Sequence, residues 1–498
     1  MDTGKQKTIQ ENILRKIPEP VKDVMRTLKS AGYKSYLVGG AVRDIIMGAE
    51  PKDWDVTTDA HWTETVKLFQ RTKVVSEELS VLKVFPKADE LEIVGAREGL
   101  SAEVNAKITE GLNADNIDVR EIDVATLRKE AYMKTFGKPD VIEFTKDIHE
   151  DLPRRDFTIN AMAIDLDGNL IDDFGGREDA ENKKLRFIGD CKKRITEDPV
   201  RMLRGIRMIA EKGLVTNDET LSAWIEKAKL IRFVSGERIG HELQGIAKGR
   251  FREYGFNDLL ETGLFNEMFS VEVCGILAFC AAVELGREPM KYVEIDIATR
   301  LEELVESSKC DFESWQVVMA YFLIKAMKVA GVKAEDFQRE IEKLSLEKEF
   351  SEGIITGYEN IDRLVEIRES SNMFETTDVK YAIKKLVNKI GEKNYRFLET
   401  ILTIGLWDGV DGFRLGKVNW QDLDIGQVNN DSMERLMVFQ KILDNNEPIF
   451  LGDLAVSGKE LQEELGTQGR EIGKKLEELL DCVHRNPQLN EKAKLLGL

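Results

Sequence analysis

The N-terminal third of the chain alternates short apolar runs with glycine and aspartate clusters, which is the pattern of a small sheet with helices between its strands. Val21, Val24, Met25 and Leu28 recur at three and four residues and predict a helix over 20–30. Pro18 and Pro20 suit its first turn. Tyr36–Val38 reads as a buried strand, Val42–Met47 as the start of a short helix, Trp54–Thr57 as a second strand and Thr63–Phe69 as a helix. Val81–Phe85 and Leu91–Val94 have strand character. Residues 97–116 are polar and acidic with few large apolar side chains, so they read as an insertion rather than core. Ile122–Leu127 alternates with period two and places Asp123 on one edge of the strand. Val141–Phe144 is a further strand, Gly168-Asn169 a turn, and Asp172–Gly176 the close of the sheet region. From about residue 178 onward the period is mostly helical.

Composition narrows the class. With 498 residues, 42% hydrophobic and 33% charged, the chain has the length of several domains and the make-up of a helix-rich globular protein. The longest apolar run, Cys274 to Val283, is half of a membrane span, and the N-terminus shows no apolar signal region, so a membrane role is not expected and a cytoplasmic one is. The five cysteines form no Cys-x-x-Cys pair, which argues against a zinc site and a disulfide framework. The net charge of −19 counts against a general nucleic-acid coat but does not exclude a local basic groove. Residues 183–212 hold ten Lys/Arg against four acids, and Arg201, Arg204 and Arg207 recur every three residues. Nothing in the sequence sets an oligomeric state.

The chemistry concentrates near the first strand. Gly39-Gly40 turns the chain into a segment whose first backbone N–H groups suit a phosphate, with Arg43 one turn inside it. Asp53 and Asp55, at i and i+2 on extended chain, point to one face and repel each other unless a hard cation stands between them. A triphosphate cradle beside a metal-binding aspartate pair is the apparatus of nucleotidyl transfer.

Three motifs together resemble the class II nucleotidyltransferases, the family of CCA-adding enzymes and bacterial poly(A) polymerases. They are Gly39 to Thr58, Arg154-Arg155-Asp156-Phe157-Thr158-Ile159-Asn160-Ala161-Met162-Ala163, and Glu197-Asp198-Pro199-Val200-Arg201-Met202-Leu203-Arg204-Gly205-Ile206-Arg207. A weaker match, Leu454 to Leu461 with Gly469, Gly473 and Asn490-Glu491-Lys492, points to the CCA-adding branch.

The resemblance implies an α+β fold: a small mixed sheet as head, followed by an all-helical neck, body and tail. On this reading the head is 1–175 with an insertion near 74–120, the neck 176–250, the body 251–405 and the tail 406–498. Asp53 and Asp55 would ligate Mg²⁺, with Asp123 as a third acid. Gly39, Gly40, Arg43, Arg154, Arg155, Asp156 and Asn160 would bind the nucleotide's triphosphate and ribose, and Asp198, Arg201, Arg204 and Arg207 would line the base site. Asp198 and Arg201, read as i and i+3 on one helix face, offer an acceptor beside a donor. Cytosine and adenine both present an amino donor beside a ring-nitrogen acceptor, so the pair fits C and A and opposes U and G. The implied activity is addition of C, C and A to the 3′ end of tRNA from CTP and ATP, with tRNA held by the tail. Its rivals are CC-only addition, A-only addition, poly(A) synthesis, and an inactive RNA-binding scaffold.

Overall fold

The computed structural model describes residues 10, 13–86, 119, 121–132, 136–269, 309–369, 377–404, 414–415, 418–419, 425–466 and 469–498. The strand expected at Leu91–Val94, the insertion at 97–116 and the apolar run 274–283 lie outside them. The chain divides into two compact units, Met1–Val234 and Ser235–Leu498.

The first unit opens with helix α1 (Glu19–Ser30), which begins at Pro18 and buries Val21, Val24, Met25 and Leu28, as their spacing predicts. Strand β1 (Ser35–Val38) follows, then helix α2 (Gly40–Met47) and strand β2 (Asp55–Thr58). Strands β3 (Thr72–Ser76), β4 (Val81–Val84) and β5 (Ile122–Thr126) lead to a separate hairpin of β6 (Arg128–Ala131) and β7 (Val141–Phe144). Strands β8 (Ala163–Ile164) and β9 (Leu170–Ile171) complete a seven-stranded mixed sheet in the order β3-β4-β5-β2-β1-β8-β9.

One expectation changes here. The insertion does not begin near residue 74: β3 and β4 form an antiparallel hairpin of the main sheet, and Leu82 and Val84 are buried in its core. Their alternation with Lys83 is the half-buried strand pattern. Strand β5 lies inside the sheet, parallel to β2 on one side and antiparallel to β4 on the other. One face of the sheet packs on α1, burying Leu37, Val56, Leu82, Ile122 and Val124 with Val24 and Leu28. The opposite face of β5 carries Asp123 and Ala125.

Toward its end the unit carries helices α3 (Cys191–Glu197) and α4 (Val200–Lys212), separated by Asp198 and Pro199. Proline lacks an N–H and pushes its predecessor out of helical geometry. Asp198 is accordingly extended, with φ −148° and ψ 100°.

Among its described residues the second unit is helical apart from the short β-pair Arg414–Leu415 and Val418–Asn419. Helix α5 (Thr377–Ile390) packs against both α6 (Glu392–Ile404) and α7 (Ile425–Asp444), which share a buried ion network. Helix α8 (Gly458–Leu465) starts with a capping box between Ser457 and Glu460, and packs through Leu461 against Leu479, Leu480 and Val483 of α9 (Arg470–Arg485). Gly458 serves this packing, since a Cβ there would meet Ile472 Cγ2 at 2.9 Å.

A candidate nucleotidyl-transfer site

Three segments of the head converge above the open face of the sheet. The first is the turn from β1 into α2. Gly39 has φ 71° and ψ −132°, a backbone state open mainly to glycine. A Cβ at Gly39 would meet Arg155 Nη1 at 3.3 Å and Asp55 Oδ2 at 3.5 Å, so the missing side chain is what lets these groups approach the turn. Arg43 Nε donates to Asp44 Oδ1 at 2.8 Å and its Nη1 to Asn160 Oδ1 at 3.0 Å.

The second segment is strand register. Parallel pairing places Asp55 of β2 directly opposite Asp123 of β5. Directly opposed residues share a face, with their Cβ atoms about 5 Å apart. Asp55, Asp123, Lys83 and Arg155 line one cavity of about 250 Å³ together with Thr57 and Ala125. Burial raises the Asp55 carboxyl to about 6, with Asp123 and Asp53 adding to the rise and Arg155 opposing it. Burial likewise pushes Asp123 upward, against the pull of Lys83.

The third segment is the Arg-Arg-Asp run. The buried Asp151 carboxylate accepts from Arg154 Nε at 3.0 Å and from Arg155 Nη2 at 3.2 Å, and Glu130 accepts from Arg154 Nη1 at 3.3 Å. Burial works against the Asp151 carboxylate, but Arg154 and Arg155 outweigh it and hold the group below the usual range. Asp156 pairs with Arg204 at 2.8 Å and accepts from the Phe157 N–H at 2.9 Å. These contacts overcome its burial and bring its pKa to about 2.

The neck corrects one expectation. Asp198 and Arg201 do not lie on one helix face, because Asp198 precedes α4. They remain linked through the backbone: the Arg201 N–H donates to the Asp198 carbonyl at 3.1 Å. Asp198 Oδ1 accepts from the Val200 N–H at 3.3 Å. The Arg201 guanidinium donates to the Arg194 carbonyl and to Glu197 Oε2, each at 2.8 Å, and stacks 5.4 Å from the centre of the Tyr132 ring. Both residues are buried. Arg207 pairs along its own helix with Glu211 at 2.9 Å.

The structure thus brings Gly39, Asp55, Asp123 and Arg155 to one cavity, with Asp53 two residues along the chain from Asp55. It joins Arg43 to Asn160, and Asp156 to Arg204. Sequence reasoning missed Lys83, Glu130, Asp151 and Glu197. The alternation Leu82-Lys83-Val84 carried a signal for the first; the other three act through arginines folded onto them.

Among the described residues no group of three or more His, Cys, Asp or Glu stands close enough to cage an ion. A magnesium ion needs no such cage, since it takes one or two carboxylates and completes its shell with water and substrate phosphate. Hard oxygens on a carboxyl that burial first, and neighbouring acids second, raise to about 6 fit that cation.

Comparison with known proteins agrees with this geometry. Residues 35–110 and 100–186 match the poly(A) polymerase head domain. Enzymes of that kind in general use a divalent metal. The CCA-adding enzyme of Geobacillus sp. (strain WCH70) is 34% identical over 242 residues, covering 49% of this chain and 52% of that protein. That of Bacillus subtilis (strain 168) is 33% identical over 245 residues, 49% of this chain and 54% of the relative. The chain therefore spans about half the length of the curated relatives it matches.

Among solved structures, the Bacillus stearothermophilus CCA-adding enzyme in complex with CTP superposes with TM-score 0.62 at 21% identity, covering 96% of this chain and 95% of that one. The Thermotoga maritima CCA-adding enzyme complexed with tRNA gives 0.58 at 17%, covering 98% and 97%. Likeness at these identities speaks for the fold. No helix among the described residues is long and apolar enough to cross a membrane. Residues 35–186 match the poly(A) polymerase head domain, in a chain whose fold is like that of the CCA-adding enzymes.

Proposed function

We propose that this protein is a cytoplasmic CCA-adding tRNA nucleotidyltransferase, which extends the tRNA 3′ end with C, C and A from CTP and ATP and releases pyrophosphate. The observation that carries the reading is the register of β2 and β5, which aligns Asp55 with Asp123 beside Gly39 and Arg155. Asp53 and Asp55 would hold Mg²⁺, with Asp123 as the third acid. Bound there, the ion would supply acidity to the RNA 3′ hydroxyl and neutralise the triphosphate.

The chain's own residues supply the rest. The first N–H groups of α2 and the Arg155 guanidinium face the phosphates, with Asp151 fixing the guanidinium's direction. Arg154 is held in the same way by Asp151 and Glu130. The Arg43–Asn160 contact and the Asp156–Arg204 pair order the ribose side. Asp198 and Arg201 offer the base an acceptor and a donor, which favours C and A. A mismatched base would leave buried polar groups unpaired at a cost of about 1–3 kcal/mol each. The division into head, neck, body and tail at 175, 250 and 405 belongs to the same proposal, with the tail gripping tRNA by its backbone.

The test is to incubate tRNA lacking its 3′ end with CTP alone, ATP alone and both, and read the products at nucleotide resolution. Two additions with CTP and a third only with both nucleotides support the reading. A long homopolymer of A, or addition of C alone or A alone, overturns it in favour of a narrower or different transferase.

A further inference from the structure

The acids of the site belong to a longer row. Antiparallel pairing of β4 with β5 puts Lys83 directly opposite Asp123, and pairing of β3 with β4 puts Lys73 directly opposite Lys83. Across the open face the order is therefore Lys73, Lys83, Asp123, Asp55, then Val38, which leads into Gly39. Strand β3 is the edge of the sheet, and Lys73 is exposed on it. Like charges opposed across strands destabilise a sheet unless something negative lies between or above them. The Lys83 ammonium stands 3.9 Å from Asp123 Oδ1 and also contacts Glu121. An ammonium has three donors, so these two partners leave one for the cavity that Lys83 lines.

Geometry decides what that donor meets. In phosphoryl transfer the attacking and leaving oxygens lie on opposite sides of the phosphorus. The Gly39 turn and Arg155, beside Asp55, mark the side of the triphosphate and its leaving group. Lys83 is at the other end of the acidic row, two strands or about 10 Å from Asp55 along the sheet. That is the side from which the 3′ hydroxyl must approach. Resting on the proposed function, we propose that Lys83, with Lys73 beside it, binds the backbone phosphate of the 3′-terminal nucleotide of the RNA being extended. The contact is to the phosphate, so it serves every tRNA and stays the same as C, C and A are added in turn.

The experiment uses the full chain, tRNA lacking its 3′ end, and the variants Lys83→Gln, Lys73→Gln, both together, and Lys83→Arg. Each Gln variant is expected to raise the KM for tRNA by about threefold to tenfold and to lower the salt slope of tRNA binding, measured without nucleotide, by about one. The KM for CTP should move by less than about twofold, and Lys83→Arg should recover most of the tRNA affinity. A rise in the KM for CTP instead would put Lys83 on the triphosphate and overturn the inference. So would a shift in Mg²⁺ requirement at unchanged tRNA affinity, which would reduce Lys83 to a support for Asp123. Unchanged parameters in all four variants would do the same. A wild-type protein that binds tRNA but adds no nucleotide would remove the proposed function while leaving the binding result readable.

Discussion

Buried carboxylates are treated in opposite ways in the two halves of the molecule. In the helical half, Glu399 is fully buried and fully answered: Arg435 donates to it twice, at 2.8 and 2.9 Å, Ser432 Oγ at 2.6 Å and Tyr395 at 2.9 Å. Arg435, too, is almost wholly buried. In the head, Asp55 is also largely withdrawn from water, but its neighbours include two more acids, and its carboxyl rises to about 6. A closed network holds helices in place. An acidic cluster beside a cavity is held at a cost that, on the proposed function, a bound cation would relieve.

This contrast can be broken at its catalytic end first. Asp55→Ala or Asp53→Ala should lower incorporation of both C and A by at least about a thousandfold, because on the proposed function both additions would use one set of acids. The fold and tRNA affinity should survive. Retention of either activity in single-turnover assays would remove the shared acidic site.

Glu399→Ala should do the reverse. It removes the carboxylate that answers the buried Arg435 charge and should cost about 3–5 kcal/mol in denaturant unfolding, with nucleotide selection unaltered in whatever protein remains folded. A loss below about 1 kcal/mol would show that the network is not what holds α6 and α7 together.

A third test turns on the sign of the head's imbalance. Because the folded state favours the protonated form of Asp55, its charged form costs stability, and the cost grows as pH rises from about 4 to about 6. In chelator, Asp55→Asn should therefore be more stable than wild type at pH 7, by up to about 2–3 kcal/mol, and equal to it near pH 4. A variant no more stable at pH 7 would mean that Arg155 and Lys83 already balance the acids.

The smallest effect belongs to the neck. Asp198→Ala or Arg201→Ala should raise UTP and GTP incorporation relative to CTP by a factor worth about 1–3 kcal/mol, read from competing nucleotides in one reaction. Undiminished discrimination would place the base-reading groups elsewhere.

Local pattern carried much of this molecule. The 3.6 period of Val21, Val24, Met25 and Leu28 and the glycine pair before a helix are short-range features that the folded chain keeps, whereas of the two aspartates read on extended chain only Asp55 is in β2 and Asp53 lies in the bend before it. Pro199 was equally visible, and it overrides the helical spacing of Asp198 and Arg201 because its predecessor is driven extended.

What the sequence could not determine is which distant segments become neighbours. Asp123 meets Asp55 only because β5 enters the sheet parallel to β2, and Lys83 joins them only because β4 closes against β5 in that register. Asp151 directs Arg154 and Arg155 through a turn, and Glu399 finds Arg435 across two helices. Periodicity says which face a residue occupies. Register and packing say what stands opposite, and those are settled by the burial of whole strands and helices together, not by any one segment.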